Sequence, residues 1–169
     1  MGLLSRLFLL LSASGALLLG IQLPGFVDQY EKRVDAHFLE VSSNLKPFQD
    51  IADRFHGGSM KALIEKHEQS TDPTFHAEGA AIRKMHDRLL RFQNEKFQLQ
   101  ASLPNQLLWI ATQSDRDLLD ETRRNYSFGL LLDRTALIAG FSCMIAIVGL
   151  LELLASIFRL REPVRSKPR

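Results

Sequence analysis

The residues of this 169-residue chain best suited to hold a metal or move a proton are its five histidines, His37, His56, His67, His76 and His86. Each has carboxylates near it in the sequence. A zinc or copper site built on one helix needs two ligands three or four residues apart, so that both project from the same face. The steps between successive histidines are 19, 11, 9 and 10 residues, so no such pair exists. His37 with Glu40 has the right spacing for two donors on one face, but such a pair arises easily by chance. His37, Glu40, His67 and His76 are the weak metal candidates, and the expectation is that histidines fill half-buried helical positions and that no metal or cofactor is held.

Hydrolytic or phosphoryl chemistry would need a nucleophile elbow, a glycine-rich phosphate loop or spaced carboxylates. His56-Gly57-Gly58-Ser59 is glycine-rich but lacks the lysine and flanking strand of a phosphate loop, and reads as a joint between helices. No catalytic residue is expected, and the chain is not expected to be an enzyme. The single cysteine, Cys143, excludes an intrachain disulfide.

What must position these side chains follows from where charge is missing. Residues Leu7 to Leu23 carry no charge, and Thr135 to Phe158 carry only Glu152. The second run would be a helix of about 36 Å, enough for a hydrocarbon core of about 30 Å. The first has the look of a secretory signal as well, but no A-x-A cleavage pattern follows it, which favours a retained anchor. The expected division is a first span over 1–23, an extracytoplasmic helical region over 24–133, a second span over 134–158 and a basic tail over 159–169. The tail carries Arg159, Arg161, Arg165, Lys167 and Arg169 against Glu162, which places both termini in the cytoplasm and the middle in the periplasm of a bacterial inner membrane. That middle has 14 basic and 17 acidic residues, too balanced for nucleic-acid binding.

Between the runs, apolar residues recur at three and four: Phe26, Val27, Tyr30, Val34, Phe38, Val41 and Leu45. This is helical spacing, with Pro24 and Pro47 read as first-turn prolines of new helices. Ser59 and Asp72-Pro73 read as the starts of two more. Phe75, Ile82, Met85, His86, Leu89, Leu90 and Phe97 mark the inner face of the next helix, and a last one runs from Leu107 to Tyr126. The fold class is all-α: two transmembrane helices with an antiparallel helical bundle or stalk between them.

Gly20 to Glu40, reading GIQLPGFVDQYEKRVDAHFLE, resembles a proteobacterial inner-membrane family of unknown function, domain-of-unknown-function family 2937. Pro47 to Arg54 and Asp72 to Ile82 carry the same likeness. The resemblance implies two spans and a helical middle, and supplies no activity, cofactor or catalytic residue.

Two features of the spans stand out. Glu152 is ionisable within an apolar run, and such residues usually have a partner or a function. With Leu23 and Thr135 level, Arg6 and Glu152 each lie 17 residues inward, which suggests an intramembrane ion pair. Ser12, Ala16 and Gly20, and Ala136 with Gly140, are small-residue ridges that allow helices to approach closely in lipid. The expected role is a non-catalytic accessory, scaffold or adaptor in the bilayer, bound to a larger membrane-protein complex or to itself. The alternatives are a periplasmic metal or ligand sensor using the histidines, and a small subunit of a transporter or channel.

Overall fold

The computed structural model describes residues 3–129 and 133–160, so most of the basic tail lies outside the described residues. Among them are six helices and no strand: α1 (Leu3–Phe55), α2 (Met60–Glu68), α3 (Pro73–Gln98), α4 (Leu103–Thr112), α5 (Arg116–Arg124) and α6 (Arg134–Leu160). The protein is all-α. Two of the helices, α1 and α6, are long and apolar enough to cross a membrane. By contact, the described residues of 3–26 and 126–160 form one compact unit and residues 27–125 form another.

In the first unit α1 and α6 meet along small residues. A Cβ added to Gly20 would sit 2.7 Å from the Cys143 Cβ and 2.8 Å from both the Ala139 carbonyl oxygen and the Gly140 Cα. One added to Gly140 would sit 2.6 Å from Ile21 Cγ1 and 3.0 Å from the Leu17 carbonyl. Ala16, Ile21 and Ala136 are buried beside them. Many of the bulky apolar residues, among them Leu10, Leu11, Leu19, Ile145 and Leu153, are exposed, the reverse of a water-soluble core. The Tyr126 hydroxyl closes the unit at one end, donating to the Gln22 side chain at 2.8 Å while its ring packs on Phe26 at 5.5 Å.

In the second unit Val27, Tyr30, Val34, Val41, Leu45 and Ala52 of α1 are buried. The helices α2 and α3 form a tight pair around Gly79, where a Cβ would come within 2.8 Å of the Glu68 backbone nitrogen. The Arg83 guanidinium clamps both oxygens of Glu68 across that pair. Ser59 and Asp72 cap the two helices through the Ala62 and Thr74 N–H groups.

Three expectations are corrected. Neither Pro24 nor Pro47 begins a helix, because α1 is continuous through both. The apolar stripe keeps one phase across them, so a break would turn half of it away from its partners. Each proline removes one i to i−4 bond. Pro47 and Ser43, whose carbonyl loses its donor, are both exposed, and water can serve that carbonyl.

The stretch expected as one helix from Leu107 to Tyr126 is two, α4 and α5. Asp115 stops the first and starts the second, its carboxylate accepting from the Asp117 and Leu118 N–H groups. On α3, Phe75, Leu90 and Phe97 are exposed, and the core positions are Gly79, Ile82, Phe92 and Glu95.

Candidate functional site

Two polar clusters join the helices of the second unit. In the first, α1 presents Arg33 and His37 one turn apart to Glu121 of α5. Arg33 Nη1 donates to Glu121 Oε1 at 2.6 Å, and His37 Nε2 lies 2.9 Å from Oε2. On its other side His37 Nδ1 is 3.5 Å from Glu40 Oε2, and its ring lies 5.9 Å from that of Phe92. An open groove beside the cluster is lined by Gln29, Lys32, Arg33, Ala36, His37 and Glu121. The hydrogen bonds from His37 and then Arg33 hold the Glu121 carboxyl below its ordinary 4.5.

A carboxyl lowered on folding stabilises the fold above its unfolded value. That contribution is lost as pH falls through the lowered folded value. Glu121→Gln is therefore expected to cost about 1 kcal/mol at pH 7, a figure reduced for solvent screening of a part-exposed pair. The variant should also lose less stability than the wild type on acidification below the ordinary carboxylate range. Thermal melts of the detergent-solubilised protein at neutral and acid pH measure both.

The second cluster is centred on Glu95, which is 4% exposed. Its Oε2 accepts from Trp109 Nε1 at 2.8 Å and its Oε1 from the Asp115 backbone N–H at 2.7 Å. One carboxylate thus ties α3 to α4 and to the cap of α5. The Tyr30 hydroxyl is buried beside this carboxylate and Ser114, and burial, with the Glu95 charge behind it, pushes its pKa well above the ordinary tyrosine value. Every strong donor at Glu95 is structural. Nothing in the cluster combines an exposed nucleophile with a base.

The other predicted residues are scattered. His67 packs edge-on to Phe75 at 5.7 Å with Glu78 at 3.4 Å, while His76 is exposed on α3. His37 and Glu40 are brought together and joined by Glu121, but no group of three or more His, Cys, Asp or Glu among the described residues is arranged to hold a metal ion. In the first unit Ala16, Gly20, Ala136 and Gly140 are buried at the seam, and Ser12 is half-buried. Arg6 and Glu152 are both exposed, and no ion pair joins them among the described residues.

The less expected feature is a surface. From Phe97 to Ser114 the chain carries no charged residue and no histidine, although it lies in the polar unit. It contains α4, which buries Ile110 and turns Pro104, Asn105, Leu108, Ala111 and Thr112 outward. Leu108 is 64% exposed and Phe97, at the end of α3, 69%. Sequence periodicity assigned Phe97 to the core. No local signal corrects it: Glu95, set between Phe92 and Leu99 at helical spacing, reads as a solvent-facing residue until its donors are known. Only a carboxylate with fixed donors can occupy that position.

The family described as "Protein of unknown function (DUF2937)" matches residues 3–163. The chain belongs to this family. The match to the DUF2937 family covers both candidate spans, α1 and α6, and all the helices between them. No curated protein and no solved structure matches the chain.

Proposed function

We propose that this DUF2937 protein is a non-catalytic accessory or adaptor of a bacterial inner membrane. In this reading α1 and α6 cross the bilayer, both termini are cytoplasmic and residues 27–125 form a periplasmic docking module. The observation that carries it is the charge-free run from Phe97 to Ser114, in which Phe97 and Leu108 are exposed. Loss of charge at a surface rich in exposed apolar residues is the compositional mark of the core of a protein interface. A membrane-lying amphipathic helix would instead carry lysine or arginine along its polar side, and α4 has neither.

The two polar clusters support the same reading by a different route. Both spend their charged groups on joining helices, which makes the module rigid before it meets a partner. The seam at Gly20 and Gly140 makes the first apolar run a packed part of the fold, which supports a retained anchor over a removed signal. The partner is a membrane protein with a matching apolar surface, or a second copy of this chain. Capture of the full chain from native membranes in nanodiscs tests the proposal: a stoichiometric companion or a dimer is expected, and a lone monomer overturns it.

A further inference from the structure

We propose that α6 carries a binding site for one anionic phospholipid, with Arg134 holding the phosphate and the stripe below it holding an acyl chain. Arg134, Leu137, Ile138, Phe141, Ser142 and Ile145 line a shallow groove of about 630 Å³. Their spacing of three and four places them on one face of the helix. Ala136, Gly140 and Cys143 lie on the opposite face, where α6 packs on α1. The groove is therefore the side of α6 turned away from the seam. Its apolar members are open: Ile138 is 57% exposed, Phe141 51% and Ile145 67%.

Length and charge identify the occupant. From Arg134 to Ile145 is a rise of about 16 Å, and half of a hydrocarbon core is about 15 Å. With Arg134 at the headgroup level, the stripe ends near the bilayer midplane, where an acyl chain ends. Arg134 is exposed and makes no ion pair among the described residues. Its neighbour Asp133 is engaged, accepting the Ala136 N–H at 2.7 Å as the cap of α6. The guanidinium thus has its donors available for a phosphate, which it can bind through two parallel N–H groups. A second copy seated on this stripe by a two-fold axis along the membrane normal would bring two Arg134 side chains to the same depth. Like charges there oppose that contact, whereas a phosphate neutralises the one charge present.

The test is native mass spectrometry of the detergent-purified full chain. It is given phosphatidylglycerol and phosphatidylethanolamine of identical acyl chains in equal amounts. The expected result is that phosphatidylglycerol adducts exceed phosphatidylethanolamine adducts about fivefold, the preference one basic side chain gives for an anionic lipid. Arg134→Gln should bring the ratio to about one, Arg134→Lys should keep most of it, and Arg123→Gln should leave it unchanged. Equal adducts in the wild type, or a ratio that survives Arg134→Gln, overturns the site. So does a photocrosslinker at Phe141 that captures a second copy of the chain instead of lipid.

Discussion

Gly20→Leu is expected to lower the thermal midpoint of the detergent-solubilised protein by about 6–12 °C, from an overpacking cost of about 3 kcal/mol. The new Cβ meets backbone on α6, the Ala139 oxygen and the Gly140 Cα, each at 2.8 Å. Backbone cannot rotate out of the way as a flexible side chain can. The two helices must separate or slide, and the contacts of Ala16, Ile21 and Ala136 go with them. In lipid no hydrophobic force draws helices together, so close packing carries the association. Cys143 gives a second readout. It is half-buried against Gly20, so its alkylation by a small maleimide should accelerate in the variant. Gly15 and Gly149 are the controls, because an added Cβ there meets nothing within 4 Å. Leucine at either should leave the midpoint unchanged or raise it, since leucine is the better helix former.

Glu95→Ala is expected to destabilise the unit of residues 27–125 by about 3–5 kcal/mol, the largest effect of any single change in it. The variant strands two part-buried donors at once, the Trp109 indole N–H and the Asp115 backbone N–H. It also leaves a hole under a side chain that was 4% exposed. Glu95→Gln keeps one acceptor oxygen and turns an NH₂ group on the other donor, so it should cost about half as much. Trp109 is the chain's single tryptophan, so its fluorescence reports this site without interference. The emission should shift to the red in Glu95→Ala at temperatures where the wild type is still folded.

These two sites differ in how far the sequence announces them. The Gly20–Gly140 seam is half legible: small residues four apart in an uncharged run mark a place of close helix approach, but not whether the neighbour is the other helix of the same chain or a second copy. The caps at Ser59 and Asp72 are legible, since their chemistry is local. Glu95 is not, because its fitness for a buried position depends on donors 14 and 20 residues further along the chain. The division of α4 from α5 is hidden by the same long-range bond. The Asp115 N–H that would continue a helix is taken by Glu95 instead. Pro24 and Pro47 mislead in the other direction. Proline in a first turn and proline inside a helix present the same local sequence, and the choice between them is made by whether the apolar stripe stays in phase on both sides. The His37 cluster is half legible: Glu40 lies three residues away, whereas Glu121 and its charge-assisted bonds come from a helix 84 residues on.

The measurement that bears most directly on the docking role compares the wild type with a Phe97→Lys, Leu108→Lys double variant. Both are expressed at native level and captured in nanodiscs under the same gentle conditions. Both positions are exposed, so the double variant should fold, with an unchanged Trp109 spectrum and melting curve. A stoichiometric companion, or a dimer, is expected with the wild type and is expected to be lost from the variant. A lone monomer in both, or a companion that stays bound to the variant, would contradict the docking role.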